Sequence, residues 1–284
     1  MSCKSPVTAC ARLIPALALV FALATQAWAL PYDQEVLSDA PLGYWRFEAG
    51  EPAGVATDSS GFGRHGAYMG GVTPGFFPGA AMIGGNSAAF DGSTGFVQLL
   101  GTWGGTPEIT IEAWVNPSAI TGGFQTFVGT PSGGVAHVQL APFGNTVTYV
   151  DNCCVTLLPP PPEGPTDTWR HVVVTGKSGD TRIFVDGVQT GADPLAFSFI
   201  TPSTDVHIGN GHVNTRFFNG LLDEVAIYAT ALSPQRVMEH YAAAGNPPPP
   251  PPPPPPAAVL LAHWTFDQDA QDVSGGGHHG VLNG

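Results

Sequence analysis

The chain is 284 residues long, carries a formal net charge of −13, and holds 37 Gly and 29 Pro with only 11% charged residues. Such acidity excludes nucleic acid and anionic membrane surfaces as partners, because no basic patch is available to offset phosphate repulsion. A hydrophobic content of 43% argues against disorder and for many short strands joined by tight turns.

Residues 1–29 read as a cleaved secretory signal. Lys4 and Arg12 precede the apolar run Leu13 to Ala24, and Ala27-Trp28-Ala29 offers small residues where a signal peptidase cuts. The run is short for a bilayer span, which needs about 20 apolar residues; an uncleaved anchor is the alternative. Cleavage removes two bases and no acids, so the mature chain is more acidic still and is expected outside the cell or at its surface. Cys3 and Cys10 leave with the signal. The adjacent pair Cys153-Cys154 remains, with no spacing that suits zinc. In an oxidising compartment these two cysteines can close a vicinal disulfide, pair with another chain or stay reduced. The vicinal bridge is the reading taken, and it closes no loop long enough to staple a fold.

From Leu30 onward the pattern is that of strands. Residues 39–47 (DAPLGYWRF) alternate aromatic with other side chains and predict a first strand, followed by a polar turn over 58–66 (DSSGFGRHG). Ala88-Ala-Phe-Asp-Gly leads into a strand over 96–99. Ile109, Ile111, Ala113 and Val115 share one strand face, and Thr110, Glu112 and Trp114 the other. Further strands are predicted near 125–129, 137–140 and 146–150. Residues 158–167 are proline-rich and belong to no central strand. The most ordered pattern runs from Thr168 to Gly191, TWRHVVVTGKSGDTRIFVDGVQTG. Two β-rich runs flank the turn KSGD, and the second closes at Asp186-Gly187, a dipeptide suited to a tight hairpin. Strands over 206–209 and 217–228 follow. Ser233-Pro234 then caps a helix that ends at Gly245 and packs Val237, Tyr241 and Ala244 on one side.

Trp-x-His-Val-Val-Val followed by Ile-Phe-Val-Asp-Gly resembles the central hairpin of laminin-G-like domains, of the concanavalin A-like jelly-roll type. The closing run FFNGLLDEVAIY (217–228) resembles their final strand. The resemblance covers nearly all of residues 36–245. It implies an all-β fold: a two-sheet antiparallel jelly-roll sandwich over 30–246 with a short C-terminal helix. A run of prolines over 247–256 follows as a polyproline linker, a stiff spacer of roughly 3.1 Å per residue. Beyond it the sequence repeats itself. AHWTFD (262–267) matches GYWRFE (43–48), and DVSGGGHHG (272–280) matches DSSGFGRHG (58–66). Residues 257–284 therefore read as the beginning of a second, incomplete laminin-G-like repeat. Twenty-eight residues cannot build a sandwich, so a fragment of a longer multi-domain protein is expected, with a natural truncation as the alternative.

The chemistry-bearing motifs are sparse. No Glu-x-Asp-x-Glu pattern, which would set the two carboxylates of a retaining glycosidase on one strand face, occurs; Glu112 stands alone between Ile111 and Ala113, and Asp223-Glu224 would point to opposite faces of a regular strand. No nucleophile elbow, zinc-binding His pair or phosphate loop is present. His171 belongs to the hairpin and reads as structural. No catalytic residues are expected and the chain reads as a non-enzyme. The resemblance implies a structural Ca²⁺ site at the sandwich edge, for which Asp58, Asp91 and Asp223 are the candidate ligands; hard oxygens on Gly-rich loops suit Ca²⁺, while Asp before Ser or Gly also simply caps a turn. For a sugar or other surface ligand the candidates are Trp103, Trp114 and Phe124, with Phe143 and Tyr149 as further aromatics; in strands, such rings serve packing as readily as stacking. The expected function is a secreted, non-catalytic modular protein that binds carbohydrate or another extracellular surface ligand. A structural or adhesive spacer array, or an accessory domain of a larger secreted enzyme, are the alternatives.

Overall fold

The computed structural model describes residues 30–80, 83–99, 103, 105–118, 123–131, 137–140, 147–151, 155–157, 166–193, 206–211, 214–245, 261–265, 269–274 and 276–282. Cys153, Cys154, Phe143, the signal region and the polyproline run lie outside them, and nothing is described of the side chain of Tyr149. Among the described residues no helix is long and apolar enough to cross a membrane.

The hairpin that the sequence singled out forms one edge of the first sheet. Strand β12 (Arg170–Lys177) pairs antiparallel with β13 (Asp180–Val185), which turns at Asp186-Gly187 into β14 (Val188–Asp193). Both turn residues take positive φ, 52° and 74°, the left-handed pair that matches the strand twist in a two-residue hairpin. On its other side β12 pairs with β7 (Glu108–Pro117), and β7 with β16 (Asn219–Tyr228). Beyond β16 lie β5 (Ser87–Asp91) and β4 (Val72–Phe76), while β1 (Gly43–Trp45) pairs with the second half of β16. These strands form the first sheet.

The second sheet is also 8-stranded. Its order is β11 (Val155–Leu157), β10 (Val147–Asp151), β9 (His137–Leu140), β8 (Gln125–Gly129), β15 (Val206–Ile208), β6 (Phe96–Leu99), β3 (Gly66–Met69) and β2 (Val55–Ala56). All its described pairings are antiparallel. Between the sheets lies an apolar core that takes Ile109, Ile111, Ala113 and Val115 from β7, Val172 and Val174 from β12, and Leu222, Val225 and Ile227 from β16. Each Val, Leu or Ile among them contributes on the order of 1.5–3 kcal/mol by leaving water. Trp45 and Trp103 meet inside this core with ring centroids 5.4 Å apart. A Cβ on Gly43 would lie 2.5 Å from Trp45 Cη2 and 2.8 Å from Trp103 Cη2, so the pair of indoles requires glycine there.

Two helices close the outer face of the first sheet. The C-terminal one, α2 (Pro234–Ala243), starts where the sequence placed it, with Ser233 Oγ accepting the Arg236 amide at 3.2 Å. The other, α1 (Tyr32–Ser38), was not expected: Pro31 precedes it and no side chain caps it. Under the helices a second apolar cluster holds Tyr32, Val36, Tyr44, Trp114, Val173, Phe184, Ala226, Tyr228 and Val237. The face of β7 that carries Thr110, Glu112 and Trp114 is therefore buried like its opposite face.

The sequence match between residues 43–66 and 262–280 extends to their hydrogen bonds. In the first copy Asp58 accepts the amides of Tyr44 (2.9 Å), Ser60 (2.9 Å) and Arg64 (2.8 Å), its own amide donates to His65 Nδ1 (3.1 Å), and Trp45 Nε1 donates to the Arg64 carbonyl (3.2 Å). In the second, Asp272 accepts the amides of His263 (2.9 Å), Ser274 (2.8 Å) and His278 (2.9 Å), its amide donates to His279 Nδ1 (3.2 Å), and Trp264 Nε1 donates to the His278 carbonyl (2.8 Å). The unit is thus specified locally by its Trp, Asp, Ser and His.

Candidate ligand-binding face

A buried, hydrogen-bonded cluster of charged groups lies between the first sheet and its helices. Glu112 has no exposed surface, and its carboxylate accepts from Tyr32 Oη (2.8 Å), His171 Nε2 (2.8 Å), Tyr228 Oη (2.7 Å) and His240 Nδ1 (3.0 Å). His240 turns its other nitrogen to Asp39 Oδ2 at 2.9 Å, and Arg236 holds Asp39, Glu35 and Glu239. Helix α2 is thereby fastened to α1 and to the sheet by one connected set of charges. Burial opposes the charge on Glu112, but His240 and then His171 outweigh it and hold the carboxyl well below its usual range. Burial likewise opposes the His240 imidazolium, and Glu112 and Asp39 outweigh it, raising the ring to about 9. Glu112 lies beneath both helices with no exposed surface.

A second carboxylate pair sits where β16 bulges. The register shifts between Asp223 and Ala226, and Glu224 adopts φ 51°. The expectation that Asp223 and Glu224 face opposite ways fails here: Leu222 and Val225 both enter the inter-sheet core, so the extra residue leaves both acids on the helix side. Asp223 accepts the Ala80 and Glu224 amides at 2.8 Å, while Glu224 accepts from Tyr44 Oη and from Arg46 Nε. Burial, and next the Glu224 charge, push Asp223 well up; burial also raises Glu224 against the pull of Arg46.

These groups set a pH profile for stability. A raised histidine stabilises fully below its ordinary value of 6.5 and loses that contribution as pH climbs through about 9. The raised pair Asp223 and Glu224 binds its proton more tightly folded than unfolded, so it too favours the fold less as pH rises above the ordinary carboxyl range. Depressed carboxyls such as Glu112, Asp39 and Asp58 act in the opposite sense, losing stability only as pH falls below about 4. Melting temperature is therefore expected to peak near pH 5 and to decline toward pH 9. A calorimetric series showing a flat or rising trend from pH 5 to 9 would contradict this assignment.

The three aspartates singled out for Ca²⁺ are not brought together. Asp58 fills its oxygens with the turn described above and also accepts from Ser60 Oγ at 2.8 Å. Asp91 ends β5, where its carboxylate accepts the amides of Ser93 (2.9 Å), Thr94 (2.8 Å) and Gly95 (2.9 Å) and the hydroxyls of Ser93 and Thr94. Asp223 is in the bulge. Among the described residues, no group of three or more His, Cys, Asp or Glu is placed to hold a metal ion.

Of the aromatic candidates, Trp103 is 1% and Trp114 3% exposed. Trp103 packs on Trp45, and Trp114 lies under α2 against Tyr241, His171 and Tyr32. Both indoles turn inward, so neither tryptophan offers a ring face to a ligand. Phe124 is different. It is half-buried just before β8, with the Arg216 guanidinium 4.5 Å from its ring centroid.

Phe124 borders the outer face of the second sheet. Val97 and Leu99, Val206 and Ile208, and Val138 and Leu140 point into the core, so alternation turns Phe96, Gln98, His207 and Gln139 outward. Phe96 stacks on His207 with centroids 4.3 Å apart. Gln98, His207 and Gly129 lie side by side in register across β6, β15 and β8, and the glycine leaves the β8 end of that row without a side chain. Arg216 Nη1 donates to Gln139 Oε1 at 2.9 Å. The result has two layers: His207, Thr126 and Gln139 are buried beneath, and Phe96, Gln98, Phe124 and Arg216 are partly exposed above them. Ring faces with amides and a guanidinium around them form the polar-on-aromatic lining that saccharides use. Strand alternation alone would have marked Phe96, Gln98 and His207; nothing local marks Arg216, which reaches the sheet from a loop.

Residues 86–238, more than half of the chain, match the family profile of the concanavalin A-like lectin/glucanases superfamily. The chain belongs to this superfamily. Its laminin-G-like sandwich resembles domain 4 of an extracellular arabinanase from Geobacillus stearothermophilus, solved with arabinotriose, at 19% identity and TM-score 0.51, covering 70% of this chain and 97% of that one. It also resembles the receptor-binding domain of botulinum neurotoxin C/D mosaic serotype (13%, TM-score 0.55, 72% of this chain and 51% of that one) and a Trypanosoma rangeli sialidase (12%, TM-score 0.53, 71% and 33%). The chain thus spans about half of the neurotoxin domain and a third of the sialidase, and the likeness is one of fold. Among curated proteins, none matches the chain.

Proposed function

We propose that this laminin-G-like domain is an extracellular, non-catalytic binding module whose carbohydrate site is the outer face of the second sheet. The observation that carries the reading is the layer of Phe96, Gln98, Phe124 and Arg216 over buried His207 and Gln139, on the face that no helix covers among the described residues. Support comes from the arabinanase domain, which resembles this sandwich over nearly its whole length and was solved with arabinotriose. Glu112, Asp223 and Glu224 are each buried on the helix side of the first sheet, away from this face. In the same reading residues 1–29 direct secretion and the Asp272 unit opens a second repeat.

The test is calorimetric titration of the secreted chain with neutral and acidic oligosaccharides. Phe96→Ala and Phe124→Ala are each expected to weaken binding roughly three- to tenfold, the worth of one stacked ring, with little change in melting temperature. Binding that survives both substitutions unchanged places the ligand elsewhere.

A further inference from the structure

Arg216 differs from four other arginines that are paired with carboxylates. Arg46 is held by Asp33, Glu48 and Glu224, Arg170 by Asp186, Arg182 by Asp180, and Arg236 by Glu35, Asp39 and Glu239. In a chain with a net charge of −13, carboxylates are abundant. Arg216 is half-buried on the outer face of the second sheet, yet among the described residues it makes no ion pair. Its contacts are the Gln139 amide oxygen at 2.9 Å and the ring of Phe124 at 4.5 Å. Burial pushes its guanidinium down, and no neighbouring charge offsets that.

A partly desolvated cation that rests on an aromatic ring and spends one N–H on an amide keeps further donors in a fixed planar fork. That fork matches a carboxylate or sulfate, which it binds with two parallel hydrogen bonds. Phe124 and Gln139 hold the guanidinium in place, so little side-chain freedom is lost when an anion arrives. The rings and amides nearby supply what the neutral part of a sugar needs. We infer that the ligand is an acidic saccharide, with its carboxylate or sulfate on Arg216 and its sugar face against Phe96 and Phe124. This inference rests on the sheet-face reading above and adds the ligand's charge to it.

The experiment uses the secreted chain and short oligosaccharides, so that the global negative charge repels them little: trigalacturonate as a carboxylate, a sulfated chondroitin tetrasaccharide, and neutral arabinotriose. The expected result is tenfold or stronger preference for one of the anionic probes, with the carboxylate and sulfate arms saying which anion is read. Arg216→Gln should abolish that preference, and Arg216→Lys should restore only part of it because the fork is lost. Melting temperature reports folding independently: each variant should stay within a few degrees of the parent, and an Arg216→Gln protein that unfolds is replaced by Arg216→Met, which keeps the stem over Phe124. Preferential binding of arabinotriose, or anion binding indifferent to Arg216, overturns the inference and leaves the sheet-face reading standing. Failure to bind any of the three, with Phe96→Ala also silent on a wider glycan panel, overturns both.

Discussion

Replacing Glu112 with alanine is expected to destabilise the sandwich by about 5 kcal/mol and lower its melting temperature by roughly 10–20 °C. The carboxylate is the shared acceptor for Tyr32, His171, Tyr228 and His240, all of them buried. Removing it strands each donor without water, at about 1–3 kcal/mol apiece before relaxation. It also leaves the His240 charge beside Asp39 alone, and breaking one partner out of a buried ion pair costs more than a surface pair ever gives. Glu112→Gln keeps the shape and one acceptor, so it should cost less than half as much, and it should flatten the decline of stability between pH 7 and 9 because His240 loses its main anion. Denaturant melts of both variants check this. If Glu112→Ala shifts stability by less than 1 kcal/mol, α1 and α2 are not fastened through this carboxylate.

The same residue shows where sequence reasoning reached and where it stopped. Alternation along β7 assigned Ile109, Ile111, Ala113 and Val115 to one face and Glu112 and Trp114 to the other, and the structure keeps that division. Alternation could not say that the second face is buried, because its cover comes from a helix some 75 residues earlier and another some 120 later. Helix α1 itself has no capping side chain and only 7 residues, too short to be stable alone; Tyr32 on Glu112 and Arg236 on Glu35 and Asp39 hold it, which are tertiary facts. The bulge at Asp223-Glu224 was equally hidden, since glutamate at φ 51° carries no sequence mark. The β12–β13 hairpin was legible because its turn, its β-branched strands and its pairing partner are contiguous. On the outer face of the second sheet the sequence singled out Phe124 alone; Phe96, Gln98 and His207 follow from strand alternation once β6 and β15 are paired, and Arg216, which a loop delivers from far along the chain, carries no local mark.

Asp58 and Asp272 offer one substitution in two settings. Asp58→Ala removes an ionised acceptor for the amides of Tyr44, Ser60 and Arg64 and for the Ser60 hydroxyl. Burial alone would raise this carboxyl, yet those hydrogen bonds outweigh it and keep it below the usual carboxylate range. The turn they fix positions Trp45, which is 0% exposed in the inter-sheet core. A loss of about 3 kcal/mol and roughly 10 °C follows for the main transition. Asp272→Ala removes the matching bonds from His263, Ser274 and His278, but Trp264 is 38% exposed and enters no such core. Its expected effect is faster amide exchange confined to residues 261–282, with the main transition unmoved. Equal losses of melting temperature in the two variants would mean that the second unit packs into the first sandwich. A loss from Asp58→Ala alone would show that the hydrogen-bonded turn forms locally in both copies, and that its weight in stability comes from the core behind the tryptophan.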